Sequence, residues 1–249
     1  MIKKATVLIL TLIAFATVSN AQNWGGGIDD EKYNFGFTFQ YVSAEYKLVK
    51  TSNWRAPFFD PTVGNYITDP LAVISSPPSV GFGIGFVVNG NVSRNADLRF
   101  TPTLVFSDRI INYQYEVPGV YNAASPLVEK KYQATVVEFP LGLKVKSDRL
   151  MNFRAYVLGG LKYSIDLASN KKNNDAEAAP IDKLVKNNRK FLSYEAGLGI
   201  DIYFEYFKMS PELKVSYSFK DILQHDITPY ANPIEQARLR HFTFSLFFE

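Results

Sequence analysis

Residues 34–41 read Asn34-Phe35-Gly36-Phe37-Thr38-Phe39-Gln40-Tyr41. A large apolar side chain stands at every second position, with Asn, Gly, Thr and Gln between. Period two marks a strand, because successive side chains of an extended chain point to opposite faces. The same pattern closes the sequence, where Phe242, Phe244, Leu246 and Phe248 alternate with His241, Thr243 and Ser245. Six more such stretches lie between these two. Eight alternating stretches in one chain predict a closed antiparallel sheet.

The intervening stretches differ in what stands opposite the apolar set. Val80, Phe82, Ile84, Phe86 and Val88 face Gly81, Gly83 and Gly85, and Asn89-Gly90-Asn91 reads as a turn. Leu98 to Phe106 forms the third stretch, with an extension toward Tyr115. Val137 to Val145, Phe153 to Tyr163, Leu192 to Phe204 and Leu213 to Phe219 follow. The connectors alternate long and short along the whole chain. In an up-and-down barrel of even strand number, this order sorts the long connectors to one rim. The short ones share the other rim with both termini. That asymmetry belongs to outer-membrane barrels. The predicted fold is all-β: an eight-stranded antiparallel up-and-down transmembrane β-barrel. Its short turns and both termini are expected to be periplasmic and its long loops extracellular.

Volume decides which face meets lipid. An eight-stranded barrel is only wide enough for its inward side chains to fill it. The Phe, Tyr, Leu and Ile set would overpack that space, whereas Gly, Ser, Thr and the charged residues fit it. The aromatic face is therefore expected to meet outer-membrane lipid.

Composition agrees with this reading and excludes others. The chain has 249 residues, 20% of them charged, a mean hydropathy of -0.08 and a net charge of +3. A barrel with a polar lumen and wet loops has such an average. The basic residues are scattered, and the densest group, Lys171 to Lys190, is interleaved with Asp175, Glu177 and Asp182, so no nucleic-acid surface is expected. The chain has no cysteine, which excludes disulfides, thiolate metal sites and a lipidated N-terminal cysteine. Lys3 and Lys4 precede the apolar run Ala5 to Val18, followed by Ser19-Asn20-Ala21. Residues 1–21 are read as a secretory signal peptide and 22–249 as one barrel domain.

Candidate functional residues fall into two groups. A hairpin turning at Tyr206 to Met209 sets Asp201 opposite Lys214 and Glu195 opposite Lys220. The fourth and fifth stretches bring Glu138 beside Lys162. Opposite charges inside a narrow lumen compensate each other's desolvation, so these three pairs are expected to plug it. The second group is the aromatic connector carrying Trp54, Arg55, Phe58 and Phe59, which either folds over the barrel mouth or binds a partner.

Nothing in the sequence assembles a catalytic or cofactor site. His225 and His241 are the two histidines, and each reads as a hydrogen-bonded or solvated residue. Gly81 to Gly85 lies inside a strand with no helix after it, so it is not a phosphate loop. Asp29-Asp30-Glu31 reads as a solvated turn rather than a calcium site. No enzyme activity, cofactor, metal or small-molecule substrate is expected.

Tyr33-Asn34-Phe35-Gly36-Phe37-Thr38-Phe39 and Val136-Val137-Glu138-Phe139-Pro140-Leu141-Gly142-Leu143-Lys144 carry a family resemblance. With the leader ending Ala21-Gln22-Asn23, the chain resembles the PorT/SprT proteins of Bacteroidetes. The resemblance implies a non-enzymatic outer-membrane component of type IX secretion, with that machinery as partner. It also implies a part in exporting sorting-domain cargo, and in gliding where that occurs. The alternative is a small surface barrel of the OmpX kind, acting in adhesion or envelope stability through its long loops.

Overall fold

The computed structural model describes residues 31–116, 126–168, 181–183 and 185–249. The expected leader and the acidic residues Asp29 and Asp30 lie outside them, as does much of the basic connector after Leu167. Eight long strands form the wall: β1 (Tyr33–Lys50), β2 (Ser79–Ser93), β3 (Ala96–Phe100 continuing as Thr103–Tyr115), β4 (Leu127–Lys146), β5 (Phe153–Asp166), β6 (Lys190–Tyr203), β7 (Lys208–Ser218) and β8 (Ile234–Phe248). Each is antiparallel to its sequence neighbours, and β1 pairs with both β2 and β8, so the sheet closes on itself. The interruption in β3 is local. Pro102 has no N–H to give, yet its carbonyl accepts from Phe86 at 3.0 Å and one register with β2 holds on both sides.

The connectors fall as expected, with two corrections. Asn89-Gly90-Asn91 is not a turn: β2 continues through it to Ser93, with Tyr33 opposite Gly90. Pairing on both flanks overrides the local turn preference, and the reversal moves to Arg94-Asn95. The extension toward Tyr115 is strand throughout, and β4 begins at Leu127, so the second long connector is shorter than its sequence implies. The first long connector has structure of its own. Phe59–Asp60 pairs with Asn65–Tyr66, and Leu71–Ser75 adds a strip beside the end of β3.

The faces divide as volume requires. Phe35, Phe39, Phe86, Leu198 and Phe242 stand outward with half or more of their surface uncovered. Thr38, Gln40, Ser193, Ser245 and the inward charges are buried. Small inward residues let neighbouring strands approach. A Cβ on Gly81 would lie 2.3 Å from the Phe106 carbonyl oxygen, closer than any side chain tolerates.

At the long-connector end the lumen filling becomes apolar. Tyr46, Ile111, Tyr113, Tyr132, Ala237 and Leu239 from the strand ends pack with Leu71, Ile74, Ile222, Leu223 and Tyr230 from the connectors. Tyr113 donates its hydroxyl to the Tyr230 carbonyl at 2.7 Å and meets that ring edge-on, tying wall to connector. This cluster stops the mouth.

The division of faces predicts opposite responses to charge. Replacing outward Leu198 by Arg is expected to destabilise the barrel by about 2–4 kcal/mol. Replacing outward Tyr206, in the connector beyond the belt, by Arg is expected to be nearly neutral. Urea titration of the folded band in lipid vesicles reads both.

Candidate functional site

The lumen below the apolar stopper holds a lattice of buried ion pairs in three tiers. Nearest the short connectors, Arg99 of β3 is the hub. Its NH1 lies 2.8 Å from Glu212 Oε2 across the barrel, and its Nε donates to Asn89 Oδ1 at 2.8 Å. Its NH2 approaches Glu249 at 3.6 Å, and Lys208 pairs with the same Glu249 side chain. The guanidinium lies against the rings of Phe247 and Tyr156, and Tyr156 also donates to Glu212 at 2.9 Å. Beside it, Lys144 Nζ bridges both oxygens of Asp201 at 2.7 and 2.8 Å, and Ser210 donates to that carboxylate at 2.6 Å. Lys146 closes the tier on Asp97 at 2.7 Å.

The middle tier centres on Lys162, whose Nζ meets Glu138 at 2.9 Å, Ser216 at 3.0 Å and His241 Nδ1 at 3.3 Å. Lys214 lies 3.4 Å from Glu195 alongside. The upper tier pairs Arg109 with Asp166 at 3.6 Å, the cation flanked by the rings of Tyr132 and Phe191. Charge is needed on both sides of each contact. An unpaired ion in this dry space would carry a penalty of several kcal/mol.

Two of the six expected lumen residues meet as the sequence reading placed them: Glu138 and Lys162. Two pairings are corrected. Asp201 binds Lys144, not Lys214, and Lys214 binds Glu195. Lys220 is exposed beyond the end of β7, outside the lumen. The cause is the hairpin. Its connector is Phe204 to Phe207, closed by stacked rings 4.7 Å apart, so Ile202 already faces Met209 and Lys214 falls opposite Gly197. Arg99, Lys144, Lys208, Glu212 and Arg109 were not singled out as a network. Their inward positions were legible in the alternation. Their partners were not, because Arg99–Glu212 and Lys144–Asp201 join strands that are not neighbours.

The aromatic connector is partly packed over the barrel mouth and partly exposed. Trp54 packs on the apolar stopper with Lys50 Nζ 4.0 Å from its ring and Arg55 at 5.0 Å, and Phe58 is buried. Phe59 instead stands exposed on a small hairpin, its ring edge-on to Tyr66 at 5.5 Å, with Val63 uncovered at the tip. Asp60 shapes that tip. Thr62 gives it a hydroxyl bond at 2.7 Å and an amide bond at 2.9 Å, which hold the carboxyl below its ordinary range. Gly64 completes the reversal at a φ of 70° and donates to the Asp60 carbonyl at 2.8 Å.

His225 lies on the last long connector, 2.6 Å from Asp221. The other oxygen of Asp221 accepts the amides of Leu223 and Ala237 at 2.9 Å each, so the carboxylate braces the connector against β8. A cleft of about 430 Å³ opens there, lined by Thr51, His225, Asp226, Ile227, Asn232 and Glu235. Among the described residues, no three His, Cys, Asp or Glu side chains converge with metal-binding geometry. No helix of the described residues is long and apolar enough to cross a membrane, so any crossing uses strands.

A closed ring of eight strands, apolar outside and ionic within, is the architecture of an outer-membrane barrel. Residues 16–224 match the family described as outer membrane protein beta-barrel domain. The chain belongs to that family. The match is to this wide group and does not single out the PorT/SprT proteins within it. No curated protein matches the sequence. Among solved structures, the chain is similar to the outer membrane protein OprG from Pseudomonas aeruginosa, at 14% identity and a TM-score of 0.46, covering 87% of this chain and 93% of that one. It is also similar to Neisserial surface protein A at 10% identity and a TM-score of 0.39, covering 87% and 98%. A third is Ail, the attachment invasion locus protein of Yersinia pestis, at 8% identity and a TM-score of 0.35, covering 88% and 98%.

Two predictions follow from the ionic contacts. Asp201→Ala leaves Lys144 buried without its carboxylate and is expected to cost about 3–5 kcal/mol, whereas Lys144→Met with Asp201→Leu is expected to be close to neutral. Urea unfolding in detergent compares the two. For Asp60 the depressed pKa stabilises the hairpin fully above the ordinary value of 3.8, and that contribution is lost as pH falls through the lower folded value. Hydrogen exchange of residues 60–66, corrected for intrinsic rates, should therefore accelerate below pH 3.8. Asp60→Asn should abolish that step.

Proposed function

We propose that this protein is a non-enzymatic, non-conducting surface barrel that acts through its long connectors, in adhesion or envelope stability. The observation that carries this reading is the double closure of the lumen. Three tiers of ion pairs fill it and an apolar cluster stops the end where the long connectors lie. A wall closed to solutes has its chemistry at its rims. One rim has two-residue to six-residue turns, and the other has four long connectors, one of which lifts Phe59, Val63 and Tyr66 into solvent. Aromatics exposed on an anchored hairpin are suited to contact with a partner surface. In this reading the long-connector rim is extracellular, and both termini lie in the periplasm.

A second reading keeps the barrel as an assembly or anchoring component of type IX secretion, contacting that machinery. What favours it is the resemblance of Tyr33 to Phe39 and Val136 to Lys144 to PorT/SprT proteins. A filled lumen suits this role equally, since no folded cargo passes through eight strands.

The readings part in a deletion strain. The surface-barrel reading expects normal secretion of sorting-domain cargo together with reduced attachment or envelope resistance. Complementation with Phe59→Ser/Tyr66→Ser should restore the barrel but not attachment. Lost secretion on deletion favours the second reading. Purified protein in planar bilayers is expected to give no stable conductance step, and a reproducible one would overturn the closed-lumen premise of both.

A further inference from the structure

Just past the apolar belt, on the long-connector side, β1 and β8 turn charge outward in place of aromatics. Beyond Tyr41, β1 presents Glu45 and Lys47, and beyond Phe242, β8 presents Arg240 and Arg238. The register sets Glu45 opposite Arg240 and Lys47 opposite Arg238. Glu45 serves two cations, meeting Lys47 Nζ at 3.3 Å and Arg240 as well. Arg238 is exposed and meets no carboxylate among the described residues, only the Gln236 side-chain oxygen at 3.5 Å. On the outward face of these two strands, one anion against three cations leaves a net charge of +2 (3 − 1). Like charges directly opposite on a strand pair are destabilising unless an anion lies between them.

On β3 and β4 the balance is reversed. At the same height on β3 and β4, Asp108 pairs with Lys131 at 2.8 Å and Glu129 follows two residues on, a net of −1 (1 − 2). Height identifies the missing anion. Lys47 and Arg238, opposite each other, stand four residues beyond belt residue Phe242, about 14 Å of strand and about 10 Å of height at the usual barrel tilt. Their stems are long enough to carry both cations back to the headgroup layer, which adds roughly 5–7 Å to each side of the hydrocarbon. Tyr217, directly opposite Arg240 on β7, marks the boundary on this face, the ring 5.9 Å from the Arg240 guanidinium and the hydroxyl 3.3 Å from its NH1. Lipid phosphates occupy that layer. A guanidinium and an ammonium on neighbouring strands present fork and point donors to one phosphate, with their stems lying along the apolar wall.

We propose that the Lys47, Arg238 and Arg240 face of β1 and β8 is a binding site for the phosphorylated headgroup of a membrane lipid. The phosphate seats between Lys47 and Arg238. The site fixes the rotational setting of the barrel against its lipid neighbours, and it stands whichever partner the long connectors take. The test is native mass spectrometry of the full barrel in detergent, titrated with phosphatidic acid, phosphatidylcholine or inorganic phosphate.

Phosphatidic acid is expected to be retained about tenfold over phosphatidylcholine. Lys47→Gln/Arg238→Gln should reduce that preference to about twofold or less. Arg238→Gln alone, which leaves both contacts of Glu45 intact, should lower it in the same direction. Lys131→Gln, on the other wall, should leave it unchanged. Heat-modifiable migration confirms that each variant is folded. Equal retention of the two lipids by the parent protein would overturn the proposal, as would a preference surviving in the double variant. Displacement of the lipid by inorganic phosphate at equal concentration would assign the site to the free anion and overturn the lipid assignment.

Discussion

Eight strands closed edge to edge leave a lumen no wider than the side chains projecting into it, and the rest of this structure follows from that bore. Large apolar residues cannot face inward over most of the wall, so they face outward, where hydrocarbon accepts them. Closure itself is required there, since hydrocarbon supplies no partner for a free strand edge. The inner face is left to Gly, Ser, Thr and long charged side chains that can bend to fill gaps. Once charges line a dry bore they must pair, some between neighbouring strands, as Lys162 with Glu138, and some across the bore, as Arg99 with Glu212 and Lys144 with Asp201. Where the strands extend past the belt, connectors can pack between their ends, and Tyr113, Tyr230 and Leu239 replace ions with an apolar stopper.

The outward alternation was fully legible, because a period of two carries through every strand and needs no knowledge of partners. Facing also fell out of the residue volumes. Register was less accessible. The β6–β7 hairpin turns two residues earlier than its sequence implied, since the stacked Phe204 and Phe207 close it, and that shift alone reassigned Asp201 and moved Lys220 out of the lumen. At Asn89-Gly90-Asn91 the local chemistry of a turn lost to strand pairing on both sides, and Asn89 became a buried ligand of Arg99. Contacts across the bore were not legible at all. They join strands that no local rule relates, so they follow from the curvature of the closed sheet.

The two rims divide the work. The short-connector rim is held by the densest part of the lattice. At the other rim, the first long connector is part packed and part exposed. Its base joins the stopper through Trp54 and buries Phe58, and its tip stands exposed through Phe59 and Tyr66. The base is what makes the tip useful. A hairpin anchored to a packed mouth offers its aromatics at little further entropic cost, whereas the same residues on a loose connector would have to be ordered by the partner.

The lattice also bears on how the barrel forms. Asn89, Arg99 and Glu212 of three strands and Glu249, directly after β8, meet at one point near the short-connector rim. None of these contacts except Asn89–Arg99 lies within a hairpin, so the hub assembles only when β8 has paired with β1. Until then each charge can be hydrated; afterwards each depends on the others. Opening the β1–β8 seam would strand several ions in a half-dry groove at once. The cost of opening therefore rises with the number of ions that share the hub, and a charged lumen resists unzipping at the one seam that joins the two ends of the strand series.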